Sequence, residues 1–224
     1  MLCADDCLPF LKMRIDRYNQ CLSDADKEKY APLKSISALS CDNTKNESVV
    51  SDDSVQLNFD AYARAYSFFH HMMTLSSCDA LSRSTMGKNV FVFTEFKNGN
   101  IIKQDCRNGS YYIIAKDASA IDKKLTDSAD ILLNENVTNS MAIKECFIVL
   151  IVVRKSNNCK KGAGWTFGPN PLLGSLEATI SNLKLHQGEM KSAAELRYKC
   201  VRVVSAEEYR SVWLPQLCDL SDMA

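Results

Sequence analysis

Cys159 lies between two pairs of cations, Arg154 and Lys155 before it and Lys160 and Lys161 after it, in the stretch RKSNNCKKGAGWTFGPNP. Neighbouring positive charge lowers a thiol's pKa and so raises the fraction of thiolate, the nucleophilic species. A thiol enzyme also needs a base, and the chain has three histidines, His70, His71 and His186. His186 falls in the turn-like LHQGE, where a side chain reaches the surface. Cys159 with His186 is therefore the pair the residues put forward for a thiol-dependent hydrolase or transferase.

The same stretch suits anion binding. No Asp or Glu occurs from Cys146 to Leu176, although Lys+Arg and Asp+Glu balance at 27 each over the whole chain. Arg154, Lys155, Lys160 and Lys161 would neutralise phosphate, the glycines would let the backbone approach it, and Trp165 or Phe167 would stack on a base or sugar. The plain alternative is a buried strand leaving through a polar loop whose Trp and Phe fold back on the core.

Other chemistry is poorly represented. MGKN at Met86 has Ser82 where a phosphate loop needs Gly, and Asn89 where it needs Ser or Thr. The ten cysteines show no Cys-x-x-Cys and no Cys/His pair at zinc spacing, so no metal and no cofactor is expected. His70 and His71 are adjacent in a helical pattern, project about 100° apart, and cannot share one metal as an i, i+4 pair does; at least one is expected to edge the core. The paired acids, such as Asp52-Asp53, read as solvated caps and loops.

These residues must be positioned by the surrounding elements. Leu8, Leu11, Ile15 and Tyr18 recur at helical spacing with Asp6 as a cap, and a second helix is expected from Asp24 to about Leu39. CDNTKNESVVSDDS, from Cys41 to Ser54, reads as a polar linker. A helix buried on most sides is expected over Leu57 to Leu75. NVFVFTEF, NIIKQDC and SYYIIAK, separated by Asn-Gly turns, predict a three-stranded antiparallel meander from about Asn89 to Lys116. A helix through Ile121, Leu125, Ala129 and Leu132 follows, then a central strand in ECFIVLIVVR. ELRYKCVRVV reads as a strand, and Ser205 with Glu208 as a capping box.

The sum is an α+β protein, with a helical N-terminal part packed on a mixed, mainly antiparallel sheet of about five strands. Residues 1–55 form the helical segment with its linker, and residues 56–224 the α+β domain. Asp5 and Asp6 stand where a signal peptide needs cations, and the longest apolar run, Cys146 to Val153, is too short to span a bilayer. The expectation is a soluble, cytoplasmic protein with reduced cysteines and no membrane partner. Functionally it reads as a binding or regulatory module that engages another protein or an anionic ligand through residues 154–171, with the Cys159 and His186 thiol enzyme as the alternative.

Overall fold

The computed structural model describes residues 4–42, 46–85, 87, 89–104, 111–154 and 197–223. Strand β9 (Phe147–Val153) is apolar at every position because both of its faces are covered. It pairs in parallel with β6 (Phe91–Lys97) on one side and β10 (Cys200–Ser205) on the other. Beyond β6 the sheet continues antiparallel through β5 (Ala80–Arg83), β4 (Val55–Asn58) and β1 (Leu33–Ser35). The six strands lie in the order β1-β4-β5-β6-β9-β10. The α+β class holds, but the sheet has six strands and is mixed rather than mainly antiparallel, three antiparallel pairings being joined to two parallel ones because β9 lies between β6 and β10.

One face is covered by α1 (Ala4–Asn19), α4 (Phe59–Phe69) and α5 (Ala115–Asn134). Their apolar stripes, including Leu11, Ile15, Tyr62, Ile121 and Leu125, meet Phe91, Phe93, Phe147 and Val149 in one buried cluster. The opposite face holds Val92, Phe96, Leu150, Val152 and Val204 against Ile36, Val50, Tyr209 and Leu214. The helical N-terminal part thus packs on the sheet. Among the described residues no helix is long and apolar enough to cross a membrane.

Several local expectations are corrected. The second helix stops early: α2 (Asp24–Lys29) is capped by Ser23, and the chain then forms β1 and the short α3 (Ile36–Leu39). Helical propensity there yields to the pairing of Leu33 opposite Leu57. Helix α4 starts where the Asn58 side chain accepts a hydrogen bond from the Ala61 amide, and ends before His71, whose φ of 51° is left-handed. Both His70 and His71 are exposed, and His70 edges the core as expected, its ring centroid lying 4.4 Å from that of the buried Tyr66.

The meander is divided. β6 joins the main sheet, whereas β7 (Ile102–Gln104) and β8 (Tyr111–Ile113) form, among the described residues, a separate two-stranded sheet. Periodicity identifies strands but not partners, and the long apolar β9 outcompetes β7 for the edge of β6. The Cys41 to Ser54 stretch contributes a small hairpin, β2 (Cys41–Asp42) with β3 (Glu47–Ser48), followed by Val49 and Val50, both buried. Two adjacent apolar residues in a polar setting are enough to tie it to the second core.

Candidate active site

Side chains alternate along a strand, so Phe91, Phe93, Glu95 and Lys97 of β6 share one face. The first two pack in the core; the last two put charge at its margin. β5 and β6 are in register with Ala80 opposite Thr94, which places Asp79, one residue before β5, beside Glu95. The Asp79 amide donates to the Thr94 carbonyl at 3.0 Å, and the Phe96 amide donates to Asp79 Oδ2 at 2.7 Å. Both bonds hold the Asp79 carboxylate in place.

Lys124 reaches the same point from α5. Its neighbours Ile121 and Leu125 anchor the helix in the core, and Nζ lies 3.3 Å from Asp79 Oδ1 and 2.9 Å from Glu95. It donates to Glu95 Oε2 at 2.9 Å. The other oxygen, Oε1, is within 2.9 Å of both the Lys97 and Lys124 ammoniums, but neither is aligned to give it a hydrogen bond. Asp60, at the start of α4, accepts a hydrogen bond from Ser77 Oγ and lies within electrostatic reach of Asp79 and Lys124.

Three carboxyl groups therefore face two ammoniums. Burial, and then the Asp79 charge, push the Glu95 carboxyl up to about 7, with Lys124 and Lys97 opposing the shift. Burial works against the Lys124 ammonium, yet Asp79, Glu95 and Asp60 together hold its pKa above the usual lysine value. A carboxyl whose native pKa exceeds its unfolded value keeps its proton longer when folded, so its contribution falls as pH rises. In metal-free buffer, the stability of the wild type relative to Glu95→Gln is expected to decline between pH 4.5 and about 7 and to level off above. Urea midpoints of the two proteins across that range check this; a difference that rises with pH would contradict it.

Of the cluster, Asp79 reaches a cleft of about 250 Å³, lined also by Ser40, Asp42, Val49, Phe96 and Asn98, among others. The Asp79 side chain is 16% exposed and that of Glu95 only 1%, and Glu95 alternates to the other face of β6 from Phe96. Lys97 pairs in register with Val153, the last residue of β9. The chain therefore leaves β9 for its basic stretch beside the lysine of the cluster.

Of the eight residues that the sequence singles out, only Arg154 is described. Its guanidinium lies 2.6 Å from Glu47 Oε2 and also donates to the Ser48 carbonyl, tying the β2–β3 hairpin to the end of β9. Lys155, Cys159, Lys160, Lys161, Trp165, Phe167 and His186 lie outside the described residues. The Arg154 and Glu47 side chains are 26% and 54% exposed, and an ion pair this wet contributes less than about 1 kcal/mol. Glu47→Gln should shift the melting temperature only slightly; a loss of several degrees would mark the hairpin as a stabilising clamp.

Neither a family model, a curated protein nor a solved structure matches the chain. The site therefore stands on its geometry. Among the described residues no group of three or more His, Cys, Asp or Glu side chains is placed to hold a metal ion. What the cluster offers is two carboxylates side by side, Asp79 just before β5 and Glu95 on β6, both paired with Lys124.

Sequence reasoning passed over Asp79, Glu95, Lys97 and Lys124. One signal was present: in FVFTEFK the positions that continue the face of Phe91 and Phe93 are Glu95 and Lys97, charges where a core-facing strand calls for apolar residues. Asp79 carried no such mark, because its partnership with Glu95 exists only through strand pairing.

Proposed function

We propose that the chain is a magnesium-dependent hydrolase of phosphodiester bonds in nucleic acid, with Asp79, Glu95 and Lys97 at its centre. The observation that carries this reading is the register of β5 and β6, which brings Asp79 beside Glu95, with Lys97 on the same face as Glu95; of the three, Asp79 lines a cleft. A divalent cation held there would polarise a phosphoryl oxygen and lower the pKa of an attacking water. Asp79 and Glu95 would supply the negative charge to retain such a cation. Lys97 would supply positive charge against the charge that develops on the phosphoryl oxygens. In the overall reaction a water oxygen forms the new bond to phosphorus, the bond to the leaving sugar oxygen breaks, and that oxygen takes up the proton lost by water.

The substrate class rests on the basic run. Lys155, Lys160 and Lys161 follow β9 in the sequence, and a run of cations fits a polyanionic chain. The anionic ligand expected from the sequence thus becomes the substrate, and the metal departs from the expectation of no cofactor.

The test is incubation of the full chain with labelled single- and double-stranded DNA and RNA in magnesium or manganese. Metal-dependent cleavage that EDTA stops is the expected result. Intact substrate in both metals, with every nucleic acid tried, overturns the reading. Reversing Lys160 and Lys161 to Glu should weaken substrate binding and flatten its salt dependence, with the slope falling by roughly one per lost phosphate contact. An unchanged slope would remove the loop from the substrate path.

A further inference from the structure

A cavity of about 310 Å³ opens between α5 and α6 (Ser140–Cys146), and it shares no lining residue with the cleft at Asp79. Ala129, Leu133 and Ile143 supply its apolar lining, and Asp130, Lys144 and Arg197 its charged one. We propose that this cavity binds a small organic anion, a monocarboxylate with an apolar body such as a short-chain or aromatic acid. The site is independent of the phosphodiester reading and stands or falls without it.

Its walls are held by short-range contacts. α5 ends at Asn134, and the Val137 amide donates to the Leu132 carbonyl at 3.0 Å. Val137 is buried, and Asn136 takes a left-handed φ of 56°, so the chain reverses there. The Asn139 side chain then starts α6 by accepting from the Ala142 amide at 2.8 Å. On α5, Leu133 follows Ala129 by one turn, and the two share a face. Arg197 completes the cavity and is placed by its neighbour: Tyr198 is buried, and its hydroxyl donates to the Leu125 carbonyl of α5 at 2.6 Å.

Size and charge select the ligand. A volume of about 310 Å³ is at the small end of the range of roughly 300–1,000 Å³ for ligand pockets. Lys144 and Arg197 carry two positive charges against the one negative charge of Asp130, which accepts from Arg197 Nη1. One carboxylate completes the balance. The Arg197 and Asp130 side chains are 40% and 43% exposed, so water screens their pairing. A guanidinium also has donors to spare beyond the one that Asp130 takes. Lys144 is exposed and has no ion-pair partner among the described residues. Inorganic phosphate suits the cavity less well, since its second charge would face Asp130 and it has no apolar body for Leu133 and Ile143 to cover.

Calorimetric titration of the full chain with hexanoate and with benzoate tests this. Saturable binding of both is expected, and binding of neither overturns the proposal. Hexanamide and benzamide have the same shapes without the charge, and should bind at least about tenfold more weakly than the acids. Equal binding of acid and amide would leave the cations without a part and overturns the proposal. Inorganic phosphate should bind more weakly than either acid; equal or tighter phosphate binding overturns the carboxylate assignment. Lys144→Gln changes an exposed side chain and should weaken binding of the acids about fivefold. Lys116→Gln removes an exposed cation in the first turn of α5, about 20 Å along the helix from Asp130 and so beyond a Debye length. It should leave the affinity within about twofold. No change in Lys144→Gln, or equal losses in both variants, places the binding elsewhere and overturns the proposal.

Discussion

Glu95→Gln is expected to abolish metal-dependent cleavage, by about 1,000-fold or on the order of 4 kcal/mol of transition-state stabilisation, while leaving the metal-free protein folded. The two halves of this expectation have separate causes. Activity falls because the amide carries no charge to retain a divalent ion, and the remaining Asp79 is a single ligand. The fold survives because the buried carboxylate is disfavoured by its own burial and by the Asp79 charge. An amide of the same shape relieves that repulsion and still offers Lys124 an acceptor oxygen. Cleavage assays in manganese, paired with melting curves in EDTA, read both halves. Retained cleavage would remove Glu95 from the chemistry. A drop of many degrees with activity lost would make it a structural partner of Lys124, since breaking a buried ion pair by removing one member is strongly destabilising.

Phe93→Ala should lower folding stability by about 3 to 5 kcal/mol, the range for deleting a large side chain from a core that cannot collapse around the void. Phe93 is fully buried at the middle of β6. Its ring lies 4.8 Å from Phe59 of α4, 5.8 Å from Phe147 of β9 and 6.1 Å from Tyr198, just before β10, so one truncation opens contacts to three separate segments. Each ring is held by its own segment, which limits how far any one can move to fill the space. Denaturant unfolding gives the number. A loss below about 1 kcal/mol would mean that the first core is loosely packed. Because Glu95 stands two residues further along the same face, Phe93→Ala should also blunt cleavage in conditions where it remains folded, through looser placement of the carboxylate.

Local pattern was sufficient wherever burial follows period. The unbroken apolar run of β9 required a strand covered on both faces, and the 3.6-residue recurrence of Ile121, Leu125, Ala129 and Leu132 required the helix α5. The cap at Ser205, whose side chain accepts from the Glu208 amide, was readable for the same reason: its partners are three residues apart. Class and several elements were therefore written in short-range order. Partnership was not. β6 pairs with β9 rather than β7, and Lys34 continues into a strand rather than a helix, because sheet edges choose partners by the apolar area each can bury, a quantity no window of sequence contains.

The site illustrates the same division more sharply. The attention of a sequence reading goes to groups that are close along the chain, which is why four cations around Cys159 stood out and Asp79, Glu95 and Lys124 did not. Charge in phase with the apolar alternation of Phe91 and Phe93 marked Glu95 and Lys97, and that mark was in the sequence alone. Their joining to Asp79 and Lys124 was decided only in three dimensions, by an antiparallel register and by a helix laid across it. Pairing in space is what turns separate solvated charges into a buried cluster with one carboxyl more than its ammoniums can neutralise.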